Sequence, residues 1–176
     1  MRARGVDERA VAAFTRFYGM LEEDATGHIL EESIAPLGDV PALADLDVDE
    51  AEARAALATT VVLKLNGGLG TSMGISGPKS ALQVCDGLSF LDIIARQVLA
   101  IRRAHDVDLP VVFMDSFRTR DETLQLLAVH DGLEVDGLPL DFLQSAEPKL
   151  RADDLTPVSW PEDPDLEWCP PGHGDV

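Results

Sequence analysis

Basic residues are scarce in this chain, which has 14 lysines and arginines against 32 aspartates and glutamates and a net charge of −18. A surface that binds nucleic acid needs basic charge to replace the counterions of the phosphate backbone. We therefore expect no nucleic-acid partner. The same acidity repels anionic ligands at long range, so a site for an anion would need its own local positive charge.

Cysteines and long apolar runs are also lacking. The two cysteines, Cys85 and Cys169, show no metal-ligand spacing, and so low a count is typical of a reducing compartment. No apolar stretch approaches the ~20 residues of a membrane span. Residues 1–8 carry basic side chains without the apolar core of a signal peptide. The sequence therefore predicts a cytoplasmic protein that does not enter a membrane.

The first third of the chain has helical periodicity. Residues 8–34 place apolar side chains at helical spacing and predict one or two amphipathic helices. A connector with proline and glycine follows at residues 35–41, and the alanine-rich residues 49–57 predict a short helix. We expect residues 1–58 to form a helical N-terminal segment that packs on the domain after it.

Predicted strands and helices alternate from residue 59 onward. Strands are predicted at residues 61–65, 110–114 and 138–143, and helices at residues 89–105 and 119–130. Ser89 with Asp92, and Thr119 with Glu122, have the spacing of helix-capping pairs. This order predicts an α/β fold, a mostly parallel sheet with helices on both faces. In such sheets ligands bind beyond the carboxyl ends of the strands.

Glycine is concentrated directly after the first predicted strand. Residues 65–80 read L-N-G-G-L-G-T-S-M-G-I-S-G-P-K-S. Glycine lets the backbone approach a ligand closely, successive N–H groups can bind phosphate oxygens, and Lys79 adds a cation. The segment does not fit a Walker loop, because Pro78 separates Gly77 from Lys79, nor a dinucleotide fingerprint, because Met73 stands at the third glycine. It predicts a phosphate or nucleotide loop of another kind.

This segment resembles the signature of the UTP–glucose-1-phosphate uridylyltransferase family, in which a strand is followed by L-N-G-G-L-G-T-S-M-G and then G-P-K-S. Residues 142–145 resemble the family's F-x-Q-S element, and residues 170–175 resemble its P-P-G-H-G-D segment. Pyrophosphorylases for other UDP-sugars look more like G-G-x-G-T-R-L-G. Ser72 and Met73 therefore favour the glucose enzyme. The resemblance covers the chain from about residue 60 to its last residue.

The resemblance implies a Rossmann-like nucleotidyltransferase fold and a reaction in which UTP and glucose 1-phosphate give UDP-glucose and pyrophosphate with Mg²⁺. The implied nucleotide-binding residues are Leu65, Asn66, Gly67, Gly68, Lys79, Gln144 and Gly172. Lys79 would be the catalytic residue, contacting the UTP phosphates and stabilising the departing pyrophosphate. Gln144, which can donate and accept, would bind the edge of uracil. Gly172 and His173 would lie near the sugar phosphate.

Three departures from the family limit these expectations. Ile75 and Ser76 replace a segment that often carries a basic residue, and Asp115 stands where asparagine is common. The chain is also much shorter than the family's chains, whose metal aspartate comes from a later strand. We therefore do not assign Asp175 as a metal ligand, and the metal ligands stay unassigned. We expect an N-terminal fragment, inactive by itself, in which residues 59–176 form the nucleotide-binding part of a truncated domain.

Two alternatives stay open from the sequence. The first is a pyrophosphorylase for another UDP-sugar, such as UDP-N-acetylglucosamine. The second is a non-catalytic module that keeps the nucleotide loop and lacks a metal site. An oligomeric protein is compatible with each of them.

Overall fold

The computed structural model describes residues 1–25, 27–68, 74 and 77–175. Its helices are α1 (Glu8–Glu22), α2 (Glu50–Leu57), α3 (Phe90–His105) and α4 (Arg120–Leu127). Its strands are β1 (Val62–Leu65), β2 (Gln83–Cys85), β3 (Leu88–Ser89), β4 (Val111–Asp115), β5 (Asp141–Leu143), β6 (Glu147–Pro148) and β7 (Trp168–Cys169). Single 3-10 turns lie at Arg2–Arg4, Glu31–Ser33, Leu43–Asp45, Lys79–Ala81 and Pro164–Glu167.

The three strands predicted from apolar runs form one parallel sheet in the order β1-β4-β5. This confirms the α/β fold class. The third strand is shorter than predicted and begins at Asp141. Leu138 instead pairs back with Val135 around Gly137, whose φ of 84° suits a tight turn that glycine adopts without steric cost.

Helix α3 begins where its capping pair predicts. The Ser89 side chain accepts a hydrogen bond from the Asp92 backbone N–H at 3.1 Å, and the Asp92 carboxylate accepts one from the Ser89 N–H at 2.8 Å. Such a capping box satisfies two N–H groups that a helix start leaves without partners. The helix ends at His105, and the next residue, Asp106, has a left-handed φ of 53° that stops it.

Helix α4 is shorter than predicted and lacks the predicted cap. It ends at Leu127, and the Thr119 side chain makes no capping hydrogen bond. Its oxygen accepts instead from the Ser116 backbone N–H at 3.1 Å, and its hydroxyl donates to the Asn66 carbonyl at 3.3 Å. The hydroxyl is thus engaged outside the helix, and the capping prediction at Thr119 is wrong.

The core lies between the sheet and the two helices that follow its strands. It contains Leu91, Ala95 and Val98 from α3, Val111 and Phe113 from β4, Leu127 from α4, and Leu133. Val111 and Phe113 lie on one face of β4, because side chains alternate along a strand. Helices α3 and α4 therefore both pack on that face.

The N-terminal segment contains less helix than predicted. Helix α1 ends at Glu22 because Asp24 and Gly27 adopt left-handed φ angles of 55° and 63°, which a helix cannot include. The expected helical continuation to residue 34 is wrong. Helix α2 forms as predicted, and the Asp49 carboxylate caps it by accepting from two backbone N–H groups. In the described parts of the chain we find no helix with the length and apolar character needed to cross a bilayer.

Candidate functional site

The carboxyl ends of the three parallel strands meet at one edge of the sheet. Asn66 follows β1, Ser116 follows β4 and Gln144 follows β5. All three are buried, although each carries a polar side chain. Buried polar side chains at this edge need partners, and their contacts define the candidate site.

Asn66 is the centre of a buried hydrogen-bond network. Its Nδ2 donates to Asp115 Oδ1 at 2.7 Å and to Thr123 Oγ1 at 2.9 Å, and its Oδ1 accepts from the Ser80 hydroxyl at 2.5 Å. Its backbone N–H donates to the Met114 carbonyl at 2.8 Å. Asn66 is one of the predicted nucleotide-binding residues, and its side chain is directed into the protein, where it joins the end of β1 to β4, α4 and the Lys79–Ala81 turn.

Asp115 is fully buried beside Asn66. Burial raises the pKa of its carboxyl group, and the hydrogen bond from Asn66 partly opposes this shift. The second oxygen, Oδ2, has no hydrogen-bond partner among the residues that the structure describes. Asp141 lies close enough to raise the pKa further, although its own carboxylate is paired with Arg120. A carboxyl group in this setting favours its neutral form.

Gly67, Gln144 and Gly172, three of the predicted site residues, lie together. A Cβ on Gly67 would overlap the Gln144 carboxamide, so a larger residue there would force the Gln144 side chain to move. Gln144 Nε2 donates to the Gly172 carbonyl at 3.2 Å, and its backbone N–H donates to the Asp115 carbonyl at 2.9 Å. The Gln144 Oε1 atom is buried and accepts no hydrogen bond from any described residue.

A cleft of about 430 Å³ opens beside this group. Five of the predicted site residues line it: Leu65, Asn66, Gly68, Lys79 and His173. Lys79 is exposed on its 3-10 turn. Just before this turn the buried Gly77 packs against Glu122 of α4, whose carboxylate would collide with a Cβ at position 77. The fold thus brings the lysine and the histidine, 94 residues apart in sequence, to one cavity.

Lys64 also lines this cleft, and sequence reasoning missed it. It lies on β1, opposite Phe113 of β4. Its ammonium group donates to the Leu65 carbonyl at 3.1 Å. A charged residue inside a short apolar strand, directly before the glycine segment, is the signal that could have identified it.

The segment that carries His173 is held by its own contacts. Gly172 has a left-handed φ of 104° that glycine tolerates readily. Two residues after His173, the Asp175 carboxylate accepts a hydrogen bond from the Ser145 backbone N–H. Within the described ranges no group of three histidine, cysteine, aspartate or glutamate side chains could hold a metal ion. These residues therefore do not form a magnesium centre by themselves.

Part of the glycine segment lies outside the described residues. Residues 69–73, 75 and 76 are in this part. The expectations placed on Ser72, Met73, Ile75 and Ser76 therefore lie outside the described residues too.

A larger groove of about 790 Å³ lies between α1 and the segments around β6 and β7. Its lining is mostly apolar and includes Phe14, Phe17 and Leu150. None of the predicted site residues lines it. Despite its size, it is the weaker candidate, because the polar and cationic groups suited to a nucleotide converge at the cleft instead.

A parallel sheet with a glycine segment, a lysine and a buried glutamine at its carboxyl edge is typical of α/β nucleotide-binding proteins. Residues 11–176 match the UTP–glucose-1-phosphate uridylyltransferase family, and the chain belongs to that family. The predicted resemblance is confirmed.

Curated relatives of the chain carry the same family name. The chain is 42% identical over 135 residues to the UTP–glucose-1-phosphate uridylyltransferase of Solanum tuberosum, covering 76% of this chain and 28% of that protein. It is 43% identical over 121 residues to the Saccharomyces cerevisiae protein of the same name, covering 68% of this chain and 24% of the relative. The chain therefore spans about a quarter of the length of these curated relatives.

Solved structures match nearly the whole chain. A UDP-glucose phosphorylase from Trypanosoma brucei superimposes with a TM-score of 0.86 at 40% identity, covering 99% of this chain and 37% of that one. A UDP-glucose pyrophosphorylase mutant from Leishmania major, in complex with UDP-glucose, gives a TM-score of 0.86 at 38% identity, covering 99% and 36%. Both likenesses support the nucleotidyltransferase fold.

Proposed function

We propose that this chain provides the uridine-nucleotide site of a UTP–glucose-1-phosphate uridylyltransferase. The observation that carries the proposal is the meeting of Gly67, Gln144 and Gly172 beside a cleft lined by Lys79 and His173. The base and the phosphate chain of UTP and the phosphate of the sugar require three neighbouring subsites, and these residues can provide them. Residues 59–176 would form this nucleotide-binding unit, and residues 1–58 would be an accessory N-terminal segment.

The proposed reaction is nucleotidyl transfer. A phosphate oxygen of glucose 1-phosphate attacks the α-phosphorus of UTP and forms a new P–O bond. The bond from that phosphorus to the bridging oxygen breaks, and pyrophosphate leaves with the electron pair. Both the attacking group and the leaving group are anions, so positioning and charge neutralisation are the protein's main contributions.

Gln144 and Gly67 would bind the uracil ring. Gln144 Oε1 is a buried acceptor without a described donor, and a uracil N–H is a donor of the required kind. The absence of a side chain at Gly67 leaves room for the Gln144 carboxamide at the end of β1. The backbone at Leu65 and Gly68 would complete the uridine contacts. Asn66 would contribute by holding this backbone in place through its buried network.

Lys79 and His173 would act on the phosphate side of the cleft. The exposed ammonium of Lys79 can reach a phosphate chain and take up the negative charge that develops on pyrophosphate. His173, with the adjoining Gly172, would contact glucose 1-phosphate. Mg²⁺, when bound to the nucleotide, supplies further charge neutralisation. The described residues do not form its site, so no step above depends on it.

The partners proposed are UTP, glucose 1-phosphate, UDP-glucose and pyrophosphate, in a cytoplasmic enzyme, and an oligomeric state is compatible with this proposal. A UDP-sugar pyrophosphorylase of other specificity is the alternative, and only the rate with each sugar 1-phosphate separates the two. The Leishmania relative in complex with UDP-glucose favours glucose.

Calorimetric titration of UTP and UDP-glucose with Mg²⁺ tests the proposal. We expect the chain to bind UTP, and Lys79→Ala to weaken binding about tenfold or more, since it removes a charge-assisted contact. Lys149→Ala is the matched control, because Lys149 lines the larger groove and makes the same change in net charge. A folded chain that binds neither nucleotide, or equal affinities for both variants, would contradict the proposal.

A further inference from the structure

Lysine is rare in this chain, and its placement is uneven. The sequence contains three lysines, Lys64, Lys79 and Lys149, among its 14 basic residues. Lys64 and Lys79 line the same cleft of about 430 Å³, one from β1 and the other from the 3-10 turn. Lys149 lies apart, at the larger groove. Two thirds of the lysines thus lie at one cavity.

Neither cleft lysine is neutralised by an acid in the described structure. The ion pairs of the described residues all use arginine or histidine as the cation. This is notable in a chain with 32 acidic residues, where a carboxylate partner is easy to supply. The cleft is therefore a local positive site within a molecule of net charge −18.

Lys64 has hydrogen-bonding capacity to spare. Its ammonium group carries three N–H donors, and the structure shows one acceptor for them, the Leu65 carbonyl at 3.1 Å. The side chain is half-buried, so it cannot spread its charge freely into solvent. An anion in the cleft would supply the missing partners.

We infer that Lys64 is a second phosphate-contacting residue, which together with Lys79 holds the phosphate chain of the nucleotide between β1 and the Lys79–Ala81 turn. This inference rests on the proposed function. The two lysines approach the cleft from different elements, so a chain of linked phosphates can contact both. A single phosphate monoester offers fewer oxygens for this purpose.

The competing role for Lys64 is structural. Its bond to the Leu65 carbonyl could brace the end of β1 and thereby position the uridine-binding backbone. The two roles differ in which ligand they affect. Loss of a phosphate contact would weaken the binding of UTP and pyrophosphate only. Loss of structural support for the end of β1 would weaken the binding of uridine as well.

The experiment compares Lys64→Met with Lys149→Met in titrations of uridine, UTP, pyrophosphate and glucose 1-phosphate. We expect Lys64→Met to lower the affinity for UTP and for pyrophosphate about tenfold and to leave the affinity for uridine unchanged. Lys149→Met should bind every ligand as the parent chain does. Lys64→Arg, which keeps the charge, should restore most of the lost affinity.

Other outcomes overturn the inference. Equal weakening of uridine and UTP would assign Lys64 to bracing, and an effect confined to glucose 1-phosphate would place it on the sugar phosphate. The same loss of UTP affinity in Lys149→Met would show that the effect arises from the change in net charge alone. If the parent chain binds UTP and Lys64→Met binds it equally, only this inference fails. If the parent chain binds no UTP, the proposed function fails with it.

A measurement on the unaltered chain keeps the test independent of folding defects. Acylation of lysines, followed by mass spectrometry, reports the reactivity of each ammonium group with and without pyrophosphate. We expect pyrophosphate to protect Lys64 and Lys79 and to leave Lys149 unchanged. Protection of Lys79 without Lys64 would overturn the inference.

Discussion

Gly67 lies directly against the Gln144 side chain, so closely that a Cβ at position 67 would overlap the Gln144 carboxamide. The two residues follow different strands, β1 and β5, and β4 separates those strands in the sheet. Their contact therefore depends on the complete sheet. A side chain at position 67 would displace Gln144 from this position, so the constraint on Gly67 is one of space rather than of backbone angle.

Gly67→Ala should damage both stability and nucleotide binding. The added methyl group must displace Gln144, and overpacking of this kind costs about 1–3 kcal/mol. Urea unfolding measures the loss of stability. Gly68→Ala is the control for stability, because its Cβ meets no described atom within 4 Å. Equal unfolding midpoints for the two variants would contradict the contact.

Asn66→Ala should be strongly destabilising. It leaves the Asp115 carboxyl and the Ser80 hydroxyl without their buried partner. Each unsatisfied buried group costs roughly 1–3 kcal/mol. Ser80→Ala removes only one of these bonds and should cost about 1 kcal/mol. Chemical denaturation of both variants would show whether Asn66 joins the network, and a smaller loss for Asn66→Ala than for Ser80→Ala would contradict it.

Asp115→Asn should stabilise the chain at neutral pH. Burial raises the pKa of Asp115, so the folded state holds this proton to higher pH than the unfolded state does. The stability of the parent chain therefore falls as pH rises from about 4, the ordinary value for aspartate, through the raised pKa. Asparagine does not ionise and lacks this loss. Unfolding free energies from pH 4 to 8 should diverge with rising pH, and parallel curves would contradict the burial of a titrating Asp115.

The stability contributed by the capping box of α3 should depend on pH in the direction opposite to that of Asp115. Hydrogen bonds from Ser89, with a smaller contribution from His130, lower the pKa of Asp92 to about 2. Its stabilisation is present above the ordinary pKa near 4 and is lost as pH falls toward 2. Ser89→Ala should cost about 1 kcal/mol at neutral pH and flatten this acid dependence. An unchanged acid profile in Ser89→Ala would count against the box.

Local signals in the sequence predict the elements that local contacts fix. Ser89 and Asp92 are three residues apart and satisfy each other, so the start of α3 is predictable. Thr119 has a similar spacing to Glu122, but it makes no capping hydrogen bond. Its hydroxyl accepts from the Ser116 N–H and donates to the Asn66 carbonyl, 53 residues away. The capping spacing alone does not indicate these competing partners.

The sequence predicts which residues belong to the site better than it predicts what each of them does there. Motif order identifies Asn66 and Gln144, but only the sheet shows that Asn66 is directed inward and that Gln144 lies against Gly67. Lys64 escapes prediction for the same reason. Its cleft is formed by β1, the Lys79–Ala81 turn and the start of α3, which are adjacent only in the fold.

The location of the bound nucleotide tests the central claim most directly. At 19.0 kDa the chain suits amide NMR, and UTP with Mg²⁺ can be titrated while every resolved amide is followed. We predict that the largest shifts fall on the amides of Leu65, Gly67, Gly68, Gln144 and Gly172. Shifts concentrated instead on the larger groove, at Phe14, Phe17 and Leu150, would contradict the assignment of the nucleotide site to the carboxyl edge of the sheet.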